Sequence, residues 1–373
     1  MANFAFIYTP SEHWIGGKNY FLSIFRQLNS QIEPLSDNII IFTDYSCDTT
    51  DLLEFEYIQV IQTHILSRKW LFRLIFGACS KILGDNSALY FILKKYNVDV
   101  LSHAYMPSSL GIKSLPWIPD FQHCILPEYF SKREIKKRNI RFQKILNNEH
   151  FLLSSCSSLS DAKRFFTIKG NANVYRFLPT PVLEFDYIGF DELCTEFEIS
   201  KPFVFLPNQF WKHKNHMLCF EACLQAKQEG NLFTIVCTGG LHDYRHPDYE
   251  KQVEKFIIDN DLSSQIIRLG VVDRAIFNCF LENAAVVVNP SRFEGWSTTV
   301  EEGKSLRKRL ALSNLNVHRE QAGENDNVIY FDTDDVSQCR NAMQALLMKD
   351  SSPSYSLSND CFYSILKSII SSE

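Results

Sequence analysis

The sequence predicts an α/β protein made of two Rossmann-like domains facing each other across a cleft, and three observations carry that expectation. The 373-residue chain is longer than one hydrophobic core usually organises, and at roughly 150 residues per domain it points to about two. Short apolar runs alternate with helical periods in both halves, as in parallel sheets covered on both faces. The alternation breaks at Pro179-Thr-Pro181, which marks a linker over 181–200. The expected organisation is therefore an N-terminal domain over 1–180, a ligand-binding C-terminal domain over 201–350, and a helical tail over 351–373 that can pack back on the N-terminal domain.

In the first half, strands are expected at Ala2 to Tyr8, Ile39 to Thr43, Tyr57 to Ile61, Val98 to Leu101, Trp117 to Pro119 and Phe151 to Leu153, with helices between them. Ser131-Lys-Arg-Glu134 has the form of a capping box and opens a helix whose apolar positions are Ile135, Phe142, Ile145 and Leu146. In the second half the strands read as Phe203 to Leu206, Leu232 to Cys237, Gln265 to Leu269, Ala284 to Val288, Leu310 to Ser313 and Val328 to Phe331. The helices fall at 215–229, 247–260, 273–282, 298–309, 317–323 and 335–348. In such open sheets ligands bind beyond the carboxyl ends of the strands, so the chemistry belongs in the loops that follow them.

Composition narrows the field. A hydrophobic share of 45% with 22% charged residues excludes disordered, collagenous and coiled-coil classes. The net charge of -5 argues against a nucleic-acid coat held by bulk charge. No run of 18 apolar residues occurs, and the stretch from Trp70 to Ala78 contains Arg73, so no transmembrane helix is expected. The N-terminus reads as a strand rather than a secretion signal, which makes the cytoplasm the expected location. Eleven cysteines without a C-x-x-C pair fit reduced thiols, and Cys219 and Cys223 read as core packing rather than a zinc site.

The densest signal is Asn289-Pro-Ser-Arg-Phe-Glu-Gly-Trp-Ser-Thr-Thr-Val-Glu-Glu302, a loop that follows a buried strand and opens a helix. Ser297, Thr298 and Thr299 stand where backbone amides lack intrahelical partners and the helix dipole is positive, which suits a phosphate or diphosphate. Glu294 and Glu302, eight residues apart, can each accept hydrogen bonds from sugar hydroxyls. The plainer reading is that Thr298 caps the helix with Glu301 while the acids complement the dipole. A second loop, Leu206-Pro-Asn-Gln-Phe-Trp-Lys-His-Lys-Asn-His216, also follows a strand and adds Lys212 and Lys214, which can neutralise a diphosphate.

Together these loops, with Ser305-Leu and Arg319-Glu-Gln321, resemble the retaining GT-B glycosyltransferases of family 4, the glycosyltransferase group 1 family, over about residues 200 to 335. The resemblance implies that Glu294 contacts the donor sugar and Glu302 the nucleotide ribose. It also implies that the amides near Ser297 to Thr299 and Lys214 hold the diphosphate, and that no metal or other cofactor is required. Two positions depart from the pattern. Gln209 stands where the family often has arginine, and Arg307 replaces a usual glycine, which bears on where the helix ends.

In the N-terminal domain Gly16-Gly17 resembles the family's glycine-rich turn at the donor phosphate. The segment from Trp117 to Glu128 resembles its acceptor side, with Asp120 as a candidate catalytic residue and His123 beside it. His103, after the Val98 to Leu101 strand, is a competing cleft residue. A buried, hydrogen-bonded histidine is the alternative for His103. Lys132, Arg133, Lys136, Lys137, Arg138, Arg141 and Lys144 form a basic helix, read either as a solvated face or as attraction to an anionic membrane surface or lipid diphosphate. Lys69, Trp70, Phe72 and Arg73 can join it.

The expected function is transfer of a sugar from a nucleotide diphosphate sugar to an acceptor hydroxyl, with retention implied by the resemblance. A saccharide or lipid-linked saccharide is the expected acceptor, and cell-surface polysaccharide or lipopolysaccharide assembly the setting. Peripheral contact with the inner face of a membrane is included and nucleic acid excluded as a partner. A sugar-nucleotide epimerase and a non-catalytic nucleotide-sugar-binding module remain as alternatives. A dehydrogenase is weaker, because no G-x-G-x-x-G follows an expected strand.

Overall fold

Runs of β-branched and aromatic residues bounded by helical periods should form buried parallel strands, and they do so in each half of the chain. The computed structural model describes residues 1–10, 15–32, 37–67, 89–179, 189–350, 353–357 and 360–371. It divides the chain into two compact units: Met1–Cys124 with Lys132–Thr180 and Ser358–Glu373, and Ile125–Ser131 with Pro181–Leu357. Each unit is an α/β, Rossmann-like domain built on a parallel sheet.

In the first unit, β1 (Asn3–Ile7), β2 (Asn38–Thr43), β3 (Ile58–Gln62), β4 (Val100–Ser102) and β5 (Lys113–Leu115) form a parallel sheet in the order β3-β2-β1-β4-β5. Ala5, Ile40, Phe42 and Leu101 are buried on one face. Phe6 meets Phe25 edge-on at 5.3 Å and Phe362 at 6.1 Å. A second small parallel sheet joins β6 (Trp117–Ile118), β7 (His150–Leu153) and β8 (Asn171–Val174). The Lys132–Leu146 helix packs Phe142, Ile145 and Leu146 against it. The Phe362–Ser371 helix belongs to this unit: Tyr363 and Lys367 reach Asp37 at 2.5 and 2.9 Å, and Arg176 grips Asp360.

In the second unit β9 (Phe203–Leu206), β10 (Thr234–Cys237), β11 (Ile266–Arg268), β12 (Val286–Asn289), β13 (Arg309–Ser313) and β14 (Val328–Phe331) are parallel in the order β11-β10-β9-β12-β13-β14. Both faces are covered. Val204, Leu206, Ile235 and Val288 pack with the His216–Gln228 and Val336–Leu347 helices, whereas Phe203, Phe205, Val287 and Leu312 pack with the Phe190–Glu196 and Arg274–Asn283 helices. Chain order reverses between β9 and β12, so the loops leaving these neighbouring strands lie side by side.

Several expectations change. Gly16 and Gly17 lie in the first turn of the Ile15–Gln31 helix instead of a turn before it. β5 and β8 were not expected. The second half of the proposed linker is the Phe190–Glu196 helix, whose Leu193 and Cys194 are buried in the second unit's core. The helix expected over 298–309 ends at Ser305, because Arg307 adopts φ of 54° and Lys308 N donates to Gly303 O at 2.8 Å. Lys69, Trp70, Phe72 and Arg73 lie outside the described residues. Among those described, no helix is long and apolar enough to cross a membrane.

Candidate active site

The site grows from the two loops at the reversal of strand order. After β9 the chain runs through Asn208 to Phe210, whose N–H donates to Gly240 O at 2.9 Å, and then makes a single 3-10 turn over Lys212–Lys214. Asp243 anchors this turn by accepting from Lys212 N at 2.9 Å. Asn215, at φ of 61°, reverses the backbone into the His216–Gln228 helix and donates through its side chain to Pro290 O at 3.2 Å and Thr333 O at 2.9 Å. After β12, Arg292 N donates to His213 O at 2.8 Å. Asn289 is fully buried between the loops: Nδ2 donates to Ser297 Oγ at 2.8 Å and Oδ1 accepts from Ser291 Oγ at 2.7 Å.

This frame brings Lys214 and Glu294 together. Lys214 Nζ lies 2.7 Å from Glu294 Oε1, which also accepts from Ser291 Oγ at 2.7 Å. Burial alone would push the Glu294 carboxyl up, but the charge of Lys214, the neighbouring His318 ring and the hydrogen bonds from Lys214 and Ser291 hold it near a pKa of about 2. Glu294 is thus an anion held by a cation at the mouth of a helix. Burial keeps the adjacent His213 neutral, with its pKa pushed down to about 3.

Ser297, rather than Thr298, caps the Thr298–Ser305 helix, its Oγ accepting from Val300 N at 3.3 Å. Thr298 is the first helical residue and is partly exposed. The Thr299 hydroxyl turns inward and donates to Asn208 Oδ1 at 3.3 Å, so Thr299 ties the loops together while its backbone remains in the first turn. Glu302 is bound by Arg274 Nη2 at 2.6 Å, and burial raises its carboxyl above the ordinary range against that pull. Glu301 is enclosed with Lys304, which approaches both of its oxygens at 3.1 and 3.2 Å. Gln209 is partly exposed, and Lys212 is exposed with its ammonium 5.9 Å from the Tyr129 ring.

The remaining candidates belong to the first unit. Gly16 is exposed with open space around it, and Gly17 is buried. His103 has φ of 62°; its Nε2 pairs with Tyr20 Oη at 2.9 Å and its Nδ1 with Ser102 Oγ at 2.8 Å. Phe6, Phe21, Trp117 and Phe362 surround the ring, and burial pushes its pKa down to about 3. Asp120 accepts from Gln122 N at 3.0 Å and shapes the start of the short Gln122–Ile125 helix. His123 is 0% exposed, with Nε2 at 2.9 Å from Asn139 Oδ1 and its ring against Phe142. That burial sets its ring in the core around Phe142.

Several supporting residues escaped the sequence reading. Arg274 gives no local sign of its partner, 28 positions away. Gly239 has φ of 124°, and a Cβ there would stand 2.6 Å from Asn208 O. The Gly-Gly pair after β10 was the available signal for that crossing. Gln321 stands in the Arg319-Glu-Gln321 motif, yet its bonds to Ser297 required the fold to be known.

Residues 195–359 match the model of the family described as glycosyl transferases group 1. The match lies almost wholly in the second unit. Solved structures extend the likeness to both units at the level of fold. A glycosyltransferase from Rickettsia africae ESF-5 is 16% identical with a TM-score of 0.65, the match covering 92% of this chain and 88% of that one. HepE of Anabaena, solved with UDP and glucose, is 13% identical with a TM-score of 0.68, over 94% and 90% of the two chains. WaaG, a glycosyltransferase involved in lipopolysaccharide biosynthesis, is 12% identical with a TM-score of 0.53, over 94% and 91%. No match is found among the curated proteins. The paired loops, Lys214 with Glu294 and Glu302 with Arg274 all fall within the span that matches the group 1 model.

Proposed function

We propose that this protein transfers a sugar from a nucleotide diphosphate sugar to an acceptor hydroxyl with retention at the anomeric carbon. The observation that carries the reading is the Lys214–Glu294 contact of 2.7 Å beside the Ser297-capped helix. It sets a cation and a helix N-terminus where a departing diphosphate would sit, with a carboxylate beside them for sugar hydroxyls. The first helical amides lack intrahelical acceptors, and Ser297 Oγ takes that of Val300, which leaves Thr298 and Thr299 to face phosphate oxygens. Glu302 would meet the ribose and Gln209 the donor. Catalysis then rests on holding the reactants together and stabilising the leaving charge, with Lys214 and helix amides supplying the positive potential and no metal invoked.

Donor arrival has a definite consequence for the pairs described above. A diphosphate competes with Glu294 for Lys214, freeing carboxylate oxygens for the sugar. Ribose hydroxyls compete with Arg274 for Glu302 in the same manner. On the first unit we assign Gly16 and Gly17 to the donor phosphate side, with His103 and Asp120 on the acceptor side and Asp120 in the catalytic role. A saccharide or lipid-linked acceptor in cell-surface polysaccharide or lipopolysaccharide assembly fits this reading. WaaG's role in lipopolysaccharide biosynthesis and HepE's binding of UDP and glucose support it by likeness of fold. The exposed Lys132, Arg133, Lys136, Lys137 and Arg141 would favour an anionic membrane surface.

The test is a thermal-shift screen across uridine, guanosine and adenosine diphosphate sugars, followed by an assay for nucleoside diphosphate release. A ligand that binds the native state at a hundred times its Kd should stabilise it by about 2.7 kcal/mol. Absence of any shift, or conversion of donor to an isomerised sugar nucleotide without acceptor, would overturn the proposal.

A further inference from the structure

We infer that Gln321 is a positioning residue for the donor diphosphate, setting the Ser297 peptide through paired hydrogen bonds backed by the buried Glu301–Lys304 ion pair. The inference rests on the donor-binding role proposed for the helix at Thr298 and extends it to a side chain that does not itself touch the ligand.

The geometry is specific. Gln321 lies on the Asn316–Ala322 helix and is 4% exposed. Its Oε1 accepts from Ser297 N at 3.1 Å, and its Nε2 donates to Ser297 O at 2.9 Å. One amide therefore reads both polar groups of the capping residue's backbone. The same Nε2 lies 3.0 Å from Glu301 Oε1. The bond to Glu301 selects the orientation of the amide, because the opposite flip would set Gln321 oxygen against a carboxylate. Lys304 Nζ lies 3.1 Å from Glu301 Oε2 and pairs with that carboxylate in an enclosed position.

Ser297 is then constrained at every polar atom: N and O by Gln321, and Oγ by Asn289 and Val300. Burial of an ion pair is costly, and a pair of apolar side chains would fill the same volume without that cost. What the pair supplies instead is a fixed acceptor that points Gln321 one way. The Thr298 and Thr299 amides follow directly from Ser297, so their direction is set before a ligand arrives. Pre-set donors avoid reorganisation when charge develops on a leaving group. A rotation of the Ser297 peptide would instead misaim both.

The experiment measures binding of UDP, GDP and ADP to the full-length protein by calorimetry, alongside circular dichroism. With the best of the three, Gln321→Met should lose about tenfold in affinity while keeping the wild-type spectrum. Gln321→Glu should lose at least as much at pH 8, where two carboxylates face each other, and should recover relative to wild type as pH falls to about 5.5. A protonated carboxyl regains a donor, and a purely architectural role predicts no such return in affinity per folded molecule. If Gln321→Met fails to fold, the pH recovery of Gln321→Glu decides. Affinities within twofold of wild type for a folded Gln321→Met, or a flat pH profile for Gln321→Glu, overturn the positioning role while leaving the donor site standing. Failure of the wild type to bind any of the three diphosphates overturns both.

Discussion

Lys214 and Glu294, 80 positions apart in sequence, meet at 2.7 Å because β9 and β12 are neighbours in the second unit's sheet. Each comes from the loop that follows its strand. The pair is largely enclosed, with side-chain exposures of 17% and 8%, so its loss should be felt both in stability and in chemistry.

Lys214→Ala strands a buried carboxylate and should lower unfolding free energy by roughly 3 kcal/mol, with Lys214→Ala/Glu294→Gln recovering part of the loss. Denaturant unfolding of the cycle measures this. Lys214→Ala and Glu294→Ala should each reduce turnover at least tenfold while the protein stays folded. Near-wild-type rates in both would rule out the roles assigned to them.

The pH dependence follows from Glu294. Its folded pKa of about 2 lies below the ordinary glutamate value, so its contribution is complete above the unfolded pKa and declines as pH falls through the folded one. Of the wild-type acid destabilisation between about pH 5.5 and pH 2, on the order of 3 kcal/mol should vanish in Glu294→Gln. Paired unfolding curves at each pH check this, and parallel profiles for the two proteins would count against the shift.

Gly239→Ala should disturb the loop that carries Lys214. The added Cβ would press on the Asn208 carbonyl and Gln209 amide, which are backbone atoms, at a φ of 124° that favours glycine. A loss of at least 2 kcal/mol with weakened nucleotide binding is expected. Wild-type melting would show that the two loops can separate freely.

Arg307→Gly is expected to act in the opposite direction. Arg307 holds φ of 54° after the Thr298–Ser305 helix, a conformation in which glycine avoids the Cβ penalty. Stability should rise by about 0.5 to 1 kcal/mol after the greater freedom of glycine in the unfolded chain is counted. Thermal melting measures the gain, and a clear loss would mean that the arginine side chain stabilises the helix end.

Much of the second unit was readable because its strands are predominantly apolar runs between helical periods, as with Phe203-Val-Phe-Leu206. The two site loops were readable for the same reason, since glycine, proline and charge stand out after such runs. β5 was hidden because Lys113-Ser-Leu115 is short and polar. β8 was hidden because Asn171-Ala-Asn-Val174 is a partly exposed edge strand without an apolar pattern. The cap was misplaced by one residue because Ser297 and Thr298 are both capping residue types and Thr298 has Glu301 at the box spacing, whereas the Asn289 and Val300 bonds select Ser297. Arg274 and Gln321 act across strand crossings, where local spacing carries no signal.

The Phe362–Ser371 helix buries Phe362, Leu366 and Ile369 in the unit that begins with β1. A ribosome therefore releases the entire second unit before the first can close its hydrophobic seam. Nascent first-unit segments must wait with Phe4 and Phe6 lacking their final neighbours, Tyr363 and Phe362. Slowing translation through the middle of the message is therefore expected to lengthen the exposure of those apolar side chains and to lower soluble yield, which expression at graded synthesis rates measures.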